Sequence, residues 1–193
     1  PTLRQRLANK VSPRQAAEIM AQVARAVRYA HAHGVIHRDL KPENVMVGSF
    51  GEVLVMDWGV AKIVAQEAGA ASPDARRATD EADRTVAMGT ERSVPEGSGS
   101  PASPGSTHPG TSLGTPGYMA PEQAAGRTHL VDARSDVYSL GAILAHVASP
   151  DGDPLPRRLE AVRRRAMAER PEDRYASAQG LAEDVARFVA GDP

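Results

Sequence analysis

Two short polar segments carry the residue types that could do chemistry. The first, His37–Asn44, reads His-Arg-Asp-Leu-Lys-Pro-Glu-Asn and holds a carboxylate (Asp39), an amine (Lys41) and an amide (Asn44) within six residues. The second, Asp-Trp-Gly, begins at Asp57. Carboxylate and amide oxygens are hard ligands of the kind that bind Mg²⁺ in proteins. The residue types therefore predict a site for Mg²⁺ and bound phosphates, provided that the two segments meet.

A predicted β-hairpin between the two segments would bring them together. The apolar runs Val45–Val47 and Val53–Met56 are separated by Gly48–Glu52, a glycine-bounded link of hairpin length. Because a hairpin brings its two ends together, we expect Asp57 to face Asn44 and the rest of the first segment. Either segment alone could be a solvated polar loop, but this alternative does not account for the spacing of the pair.

Apolar periodicity predicts several helices around this hairpin. The first strong helix has Ser12 as its N-cap, Gln15 completing a capping box, and Gly34 as its stop. A shorter helix is expected before it, over residues 2–7. Three more are expected later in the chain, at about Asp136–Ala148, Arg158–Glu169 and Ser177–Ala190. The fold class predicted is α+β, mainly α-helical with one small β-hairpin.

Residues 65–113 differ in composition from the rest of the chain. Of these 49 residues, 23 are Gly, Pro, Ser or Thr, and none is aromatic. Such a segment buries too little apolar surface to offset the entropy lost on ordering, so we expect it to be a disordered insert. The chain then divides into a folded part at residues 1–64, the insert at 65–113, and a second folded part at 114–190.

Composition and charge exclude several classes of protein. The 23 Lys and Arg balance 24 Asp and Glu, so the net charge is -1 and no strongly basic surface for nucleic acid is predicted. The absence of cysteine removes disulfides, thiol catalysis and cysteine-bound metals. The longest apolar stretch, Gly141–Ala148, is too short to span a membrane, and no signal peptide is visible. We expect a cytoplasmic protein, or the cytoplasmic part of a membrane-anchored one.

Five motifs in order resemble the C-terminal lobe of a protein kinase, in a style similar to bacterial serine/threonine kinases. His37–Asn44 is like the catalytic loop, Asp57–Gly59 is like the metal-binding D-F-G with Trp for Phe, and Gly114–Glu122 is like the end of the activation segment. Asp136–Gly141 is like the start of the central helix, and Arg170–Tyr175 is like a late arginine motif. The resemblance places the insert in an expanded activation segment. The sequence has no glycine-rich phosphate loop, strand lysine or helix glutamate, so the N-terminal lobe is expected to be missing. The link Ser149–Pro156 is shorter than its counterpart in the family.

The resemblance implies transfer of the γ-phosphoryl group of ATP to a Ser or Thr hydroxyl of a protein substrate, with Mg²⁺ as cofactor. Asp39 would accept the proton of the substrate hydroxyl, and Lys41 would stabilise charge on the transferring group. Asn44 and Asp57 would hold the Mg²⁺ ions. Thr115 would bond near Asp39 and Lys41 and favour a Ser or Thr acceptor.

The resemblance also implies regulation by phosphorylation in this bacterial signalling family. Arg38 would bind a phosphate on the activation segment, because guanidinium and phosphate match as a bidentate pair. Thr111 and Ser112 are the best candidate phosphorylation sites. A Ser- and Thr-rich insert could serve as an autophosphorylation platform, or it could be a tolerated surface insertion.

Three residues are expected to support the site without taking part in chemistry. Asp136 would brace the backbone around His37 and Arg38, and Glu122 would pair with Arg174. Removing one partner of a buried pair of this kind costs about 3–5 kcal/mol.

Other interpretations of single features stay open at this point. The spacing His31-x-His33-x3-His37 could suit a metal, although we favour helix-terminal histidines and a catalytic-loop histidine. The arginines of Arg157–Arg165 could attract nucleic acid, although we favour a solvated helix face. For the whole chain, the alternatives to an enzyme are a non-catalytic, pseudokinase-like regulatory or interaction module and a fragment without a stable fold.

Overall fold

Six helices and two strand pairs make up the described part of the chain. The computed structural model describes residues 1–6, 11–59, 61–63, 115 and 117–191. The predicted insert at 65–113, with Thr111 and Ser112, lies outside the described residues. The helices are α1 (Leu3–Arg6), α2 (Pro13–Ala32), α3 (Pro121–Ala124), α4 (Ala133–Ala148), α5 (Arg157–Ala166) and α6 (Ala178–Ala190), and the strands are β1 (Val35–Ile36), β2 (Val45–Val47), β3 (Val53–Val55) and β4 (Lys62–Ile63).

Helix α2 has the start and the stop that its sequence predicts. The Ser12 hydroxyl accepts a hydrogen bond from the Gln15 amide at 3.3 Å, and the Gln15 side-chain oxygen accepts from the Ser12 amide at 3.0 Å, which completes the capping box. The helix ends at Ala32, and Gly34 follows with a φ of 74°. A left-handed backbone of this kind favours glycine, so the turn after α2 is encoded locally.

The core lies between α2, α4 and α6. Helix α2 packs chiefly against α6 and then against α4, and α5 covers the other side of α4. The apolar side chains that meet there include Met20, Val23 and Val27 of α2, Leu140, Ile143 and Leu144 of α4, Leu159 of α5, and Leu181 and Val185 of α6. Each fully buried side chain of this size contributes about 1.5–3 kcal/mol. The core therefore joins chain segments from both sides of residues 65–113.

Helix α4 is buried on almost every side and differs in its start from the sequence prediction. It begins at Ala133 because the Asp132 carboxylate caps it, accepting a hydrogen bond from the Arg134 amide at 2.7 Å. Midway along, Gly141 lets α5 approach closely, since a Cβ there would lie 2.7 Å from the Cβ of Ala166. Among the described residues, no helix is long and apolar enough to cross a membrane.

Two antiparallel strand pairs position the polar segments. The predicted hairpin is confirmed: β2 pairs with β3, with Val45 opposite Val55. A second pair, β1 with β4, sets Val35 opposite Ile63, where the sequence had indicated only polar loops. Strands of two residues are too short to show an alternating pattern, which is why the pattern could not reveal them. The first polar segment runs from β1 to β2 and the second from β3 to β4, so paired strands hold both segments at both ends.

Candidate active site

The Asp39 carboxylate is the centre of a small network of hydrogen bonds. Its Oδ2 accepts from the Lys41 ammonium at 2.7 Å. Its Oδ1 accepts from the backbone amide of Thr115 at 3.0 Å and from the Thr115 hydroxyl at 3.1 Å. Lys41 also donates to the Thr115 hydroxyl oxygen at 3.0 Å. Three residues that the sequence marked as a functional group thus touch one another, although 76 positions separate Asp39 from Thr115.

The backbone just before Asp39 is fixed by the buried carboxylate of Asp136. The amide of His37 donates to Asp136 Oδ2 at 2.8 Å, and the amide of Arg38 donates to Oδ1 at 2.9 Å. Arg38 adopts a φ of 72°, a conformation that a non-glycine residue rarely adopts without support. The carbonyl of Arg38 is held as well, because it accepts from the Gln123 side chain at 2.8 Å. The turn that aims Asp39 therefore depends on α3 and α4.

The buried side chain of His37 contacts both polar segments. It is fully buried, its Nδ1 accepts from the Asp39 amide at 3.3 Å, and its Nε2 lies 2.9 Å from the carbonyl oxygen of Met56. These partners are satisfied by the neutral ring with its proton on Nε2. The ring also packs against the Trp58 indole, with centroids 4.6 Å apart. His37 thus holds the second segment against the first.

Asn44 and Asp57 lie at adjoining ends of the β2–β3 hairpin. The amide of Met56, the residue before Asp57, donates to the carbonyl of Asn44 at 2.8 Å, which extends the strand pairing up to the polar segments. The Asn44 side-chain nitrogen donates to the carbonyl of Asp39 at 2.9 Å. Its Oδ1 accepts no hydrogen bond from a described residue. Asp57 is exposed, with a φ of 59°.

The donor set suits Mg²⁺ only together with a second source of oxygen. Among the described residues, no group of three His, Cys, Asp or Glu could hold a metal ion. Asn44 and Asp57 offer one amide and one carboxylate, and magnesium is commonly bound by one or two such ligands together with substrate phosphates and water. These two residues therefore fit a nucleotide-bound Mg²⁺ and do not form a metal cage of their own.

The Arg38 side chain has spare hydrogen-bonding capacity. Its Nε is buried without a hydrogen-bond partner, so part of a guanidinium beside Asp39 is not used within the described residues. The two residues whose phosphates it was expected to bind, Thr111 and Ser112, lie outside the described residues.

A buried ion pair joins Glu122 to the late arginine motif. Both carboxylate oxygens of Glu122 accept from Arg174 at 2.8 Å, and Ser135 donates to one of them at 2.7 Å. Arg174 also donates to the carbonyls of Ala168, Arg134 and Glu169. Burial acts to raise the pKa of Glu122, but hydrogen bonds from Arg174 and Ser135 outweigh it and hold the pKa below its ordinary value of 4.5. The carboxylate stays charged and fixes α3, from which Gln123 reaches the carbonyl of Arg38.

A cavity of about 760 Å³ opens beside Thr115. Glu43 and Tyr118 line it near the Asp39 network, and the short link between α4 and α5 lines it farther away, with Asp153 and Leu155. Burial and then the charge of Glu43 raise the pKa of the Tyr118 hydroxyl. The cavity reaches the Asp39 network at Thr115, which is part of its lining.

The histidines that could have formed a metal site have separate partners. His31 Nε2 lies 2.7 Å from Asp136 Oδ2, His33 Nδ1 lies 2.8 Å from the carbonyl oxygen of Tyr29, and His37 is buried as described. The expected helix-terminal position holds for both, since His31 lies in the last turn of α2 and His33 caps it, and His31 also reaches across to α4. Neither the contact of His31 with Asp136 nor that of Gln123 with Arg38 was predicted from sequence, because the partners lie 105 and 85 positions apart.

The helical lobe is built around the buried helix α4 and holds the His37–Asn44 loop beside an Asp-Trp-Gly turn. This arrangement is that of the C-terminal lobe of a protein kinase. A model of the protein kinase domain matches residues 2–81. The chain belongs to the protein kinase family, and its relatives are of the bacterial serine/threonine type.

Three curated relatives illustrate the similarity. Serine/threonine-protein kinase PknB of Mycolicibacterium smegmatis is 32% identical over 207 residues, which cover 94% of this chain and 27% of that protein. PknB of Mycobacterium tuberculosis H37Rv is 30% identical, covering 95% of this chain and 28% of its own length. PknD of Chlamydia abortus is 30% identical, covering 97% and 20%. The chain thus spans between a fifth and a third of the length of these relatives.

Proposed function

We propose that this chain is the catalytic lobe of a serine/threonine protein kinase, which transfers the γ-phosphoryl group of ATP to a Ser or Thr hydroxyl of a protein. The observation that carries the proposal is the contact of Asp39 with both Lys41 and Thr115. In a solvated polar loop, water would satisfy an aspartate, whereas both carboxylate oxygens of Asp39 accept hydrogen bonds from the protein. Here the hydrogen bonds fix the direction of the carboxylate, as a general base requires.

Each residue of the network has a role in this reaction. The substrate hydroxyl oxygen attacks the γ-phosphorus, its proton passes to Asp39, and ADP leaves. Lys41, already 2.7 Å from Asp39, offsets the negative charge that develops on the transferring group. The Thr115 hydroxyl lies between base and lysine and orients the acceptor side chain. Asn44 and Asp57 would hold Mg²⁺, which would supply positive charge to offset that of the phosphates.

The cavity beside Thr115 is the proposed entry for the acceptor segment of the protein substrate. Its volume of about 760 Å³ is sufficient for several side chains. One of its walls is the short link that contains Asp153, so this side of the substrate surface is built differently from that of family members with a longer link. We further propose that Arg38 binds a phosphate carried by Thr111 or Ser112, using the guanidinium capacity left free at Nε.

A direct assay tests the reaction. The chain is incubated with Mg²⁺ and γ-labelled ATP and an acceptor protein such as casein, alongside Asp39→Asn and the control Glu172→Gln, which alters an exposed carboxylate far along the chain. We expect label in the parent and in the control, and a loss of about 10²–10⁴-fold in Asp39→Asn. Equal labelling by Asp39→Asn and the parent would refute the role of Asp39.

The alternative is a regulatory or interaction module without phosphoryl transfer, since the 193 residues include no glycine-rich phosphate loop. It predicts no label with any variant and no change of melting temperature at saturating Mg·ATP.

The regulatory proposal is tested separately by mass spectrometry after ATP treatment. Phosphate on Thr111 or Ser112 supports it, and unmodified peptides that cover both residues contradict it.

A further inference from the structure

A second cavity, unrelated to the candidate active site, lies between α5 and α6. Its volume is about 690 Å³, and four arginines line it: Arg158, Arg164, Arg165 and Arg187. Two aspartates, Asp173 and Asp184, are the acidic residues of its lining, so the formal charge of the lining is +2. It shares no lining residue with the cavity beside Thr115.

Two of the arginines are held in place by the fold. The Arg165 guanidinium lies over the Tyr175 ring, 4.3 Å from the centroid, and Arg187 pairs with Asp184 one turn earlier on α6. The Tyr175 hydroxyl donates to the other Asp184 oxygen at 2.7 Å. Burial, followed by this hydrogen bond to Asp184, raises the pKa of Tyr175, so its hydroxyl keeps the proton. Both oxygens of Asp184 are thereby used within the wall of the cavity.

The other two arginines are not held by a direct contact within the part of the chain that the structure describes. Arg158 and Arg164 form neither an ion pair nor a side-chain hydrogen bond with any described residue, in contrast to Arg163 of the same helix, whose guanidinium is bound to Glu160 at 2.8 Å. Arg158 is half-buried at the cavity, while Arg157, its neighbour in sequence, is exposed and lies outside the lining. The helix thus directs particular arginines to the cavity.

We infer that this cavity binds a phosphate monoester dianion, carried by a phosphorylated Ser or Thr side chain of a protein segment. The charge of +2 on the lining balances a dianion. Fixed and free guanidiniums together supply the planar donors that match phosphate oxygens. The remaining wall is apolar and includes Ala161, Val162 and the Tyr175 ring, which suits the carbon stem of a phosphorylated residue better than free phosphate. A nucleic acid would need a longer basic surface than one cavity provides.

Binding of a fluorescent Gly/Ala peptide with one central phosphoserine tests the inference, measured by anisotropy against the unphosphorylated peptide. The variant Arg158→Gln/Arg164→Gln removes the two free guanidiniums, and Arg157→Gln is the matched control. We expect the parent and the control to prefer the phosphopeptide, and the double variant to bind it about ten-fold or more weakly. Equal melting temperatures of the three proteins show that the core is unchanged.

Four results would overturn the inference: equal affinity for both peptides, no loss in the double variant, an equal loss in Arg157→Gln, or tighter binding of single-stranded RNA or anionic vesicles. Inorganic phosphate separates the two sources of the anion. Competition by phosphate at a much higher concentration than the peptide supports a phosphoprotein ligand, whereas equal potency assigns the cavity to free phosphate instead. A Lys41→Met variant, which removes the amine of the active-site network, is expected to bind the phosphopeptide normally, so this test stands apart from that of kinase activity.

Discussion

Replacing Glu122 by Gln should destabilise the chain by about 3 kcal/mol or more, because it leaves a buried arginine without its counter-charge. The side chain of Arg174 is fully buried, and it retains three carbonyl acceptors when Glu122 is neutralised. These acceptors place the expected cost at the lower end of the range of about 3–5 kcal/mol for broken buried pairs. Since a domain of this kind is stable by only about 5–15 kcal/mol, the loss is large.

The reverse substitution should cost more. Arg174→Met leaves the Glu122 carboxylate with one side-chain donor, the Ser135 hydroxyl, and also removes the hydrogen bonds of the guanidinium to three carbonyls. The loss of these part-buried hydrogen bonds adds to the cost of the unpaired carboxylate. The double variant Glu122→Gln/Arg174→Met should be more stable than the sum of the single changes predicts, because it buries no unpaired charge.

Urea unfolding followed by far-ultraviolet circular dichroism measures these differences, with unchanged m-values as the sign that the unfolded state is the same. The control is Glu172→Gln, which removes an exposed carboxylate from its contact with Arg170 in the loop that also contains Arg174. We expect no measurable shift of its midpoint. A midpoint for Glu122→Gln as high as that of Glu172→Gln would refute the reasoning, as would strict additivity in the double variant.

Three further predictions concern stability. The pKa of Glu122 is held below its ordinary value of 4.5. The stability that its ionisation confers should therefore be complete above about pH 4.5 and should be lost as the pH falls through the lowered pKa. Acid unfolding of Glu122→Gln should lack this part of the pH dependence. Gly141→Ala should lower the melting temperature, since overpacking against Ala166 costs about 1–3 kcal/mol and a gain in helix propensity of up to about 1 kcal/mol does not offset it. An unchanged or raised melting temperature would show that α5 can move away. Ser12→Ala should cost about 1 kcal/mol in urea unfolding through loss of the cap of α2, whereas Ser12→Asp should cost little.

Elements with a repeating pattern could be predicted from the sequence, and elements that depend on distant partners could not. Helix α2 was predicted from its cap to its stop because Ser12, Gln15 and Gly34 act within their own turns. The β2–β3 hairpin was predicted because its glycine-bounded link lies between two apolar runs. The pair β1–β4 was missed because two residues carry no periodicity, and α5 ends at Ala166, before Pro171, instead of reaching Glu169.

The candidate site, like the fold, was predicted only in part. The resemblance to protein kinases implied that Thr115 lies near Asp39 and Lys41, and the hydrogen bonds among the three are present. The contact of His31 with Asp136 was not predicted, since nothing near His31 in the sequence indicates that partner. The spacing of the histidines alone was compatible with a metal site and with structural roles, and their contacts in the fold support structural roles.

The conformation of the loop that carries Asp39 is determined mostly by residues outside it. Asp136 holds two successive amides with one carboxylate while its Oδ2 also contacts His31, and Gln123 holds the next carbonyl. Gln123 in turn sits on α3, which the Glu122–Arg174 pair anchors to the C-terminal part of the chain. A positive φ at Arg38 is maintained because these contacts offset its cost of roughly 1–3 kcal/mol. The pair at Glu122 is therefore connected to the geometry at Asp39 through a single short helix, so a change that only loosens α3 should lower phosphoryl transfer even where Asp39, Lys41 and Thr115 are all intact.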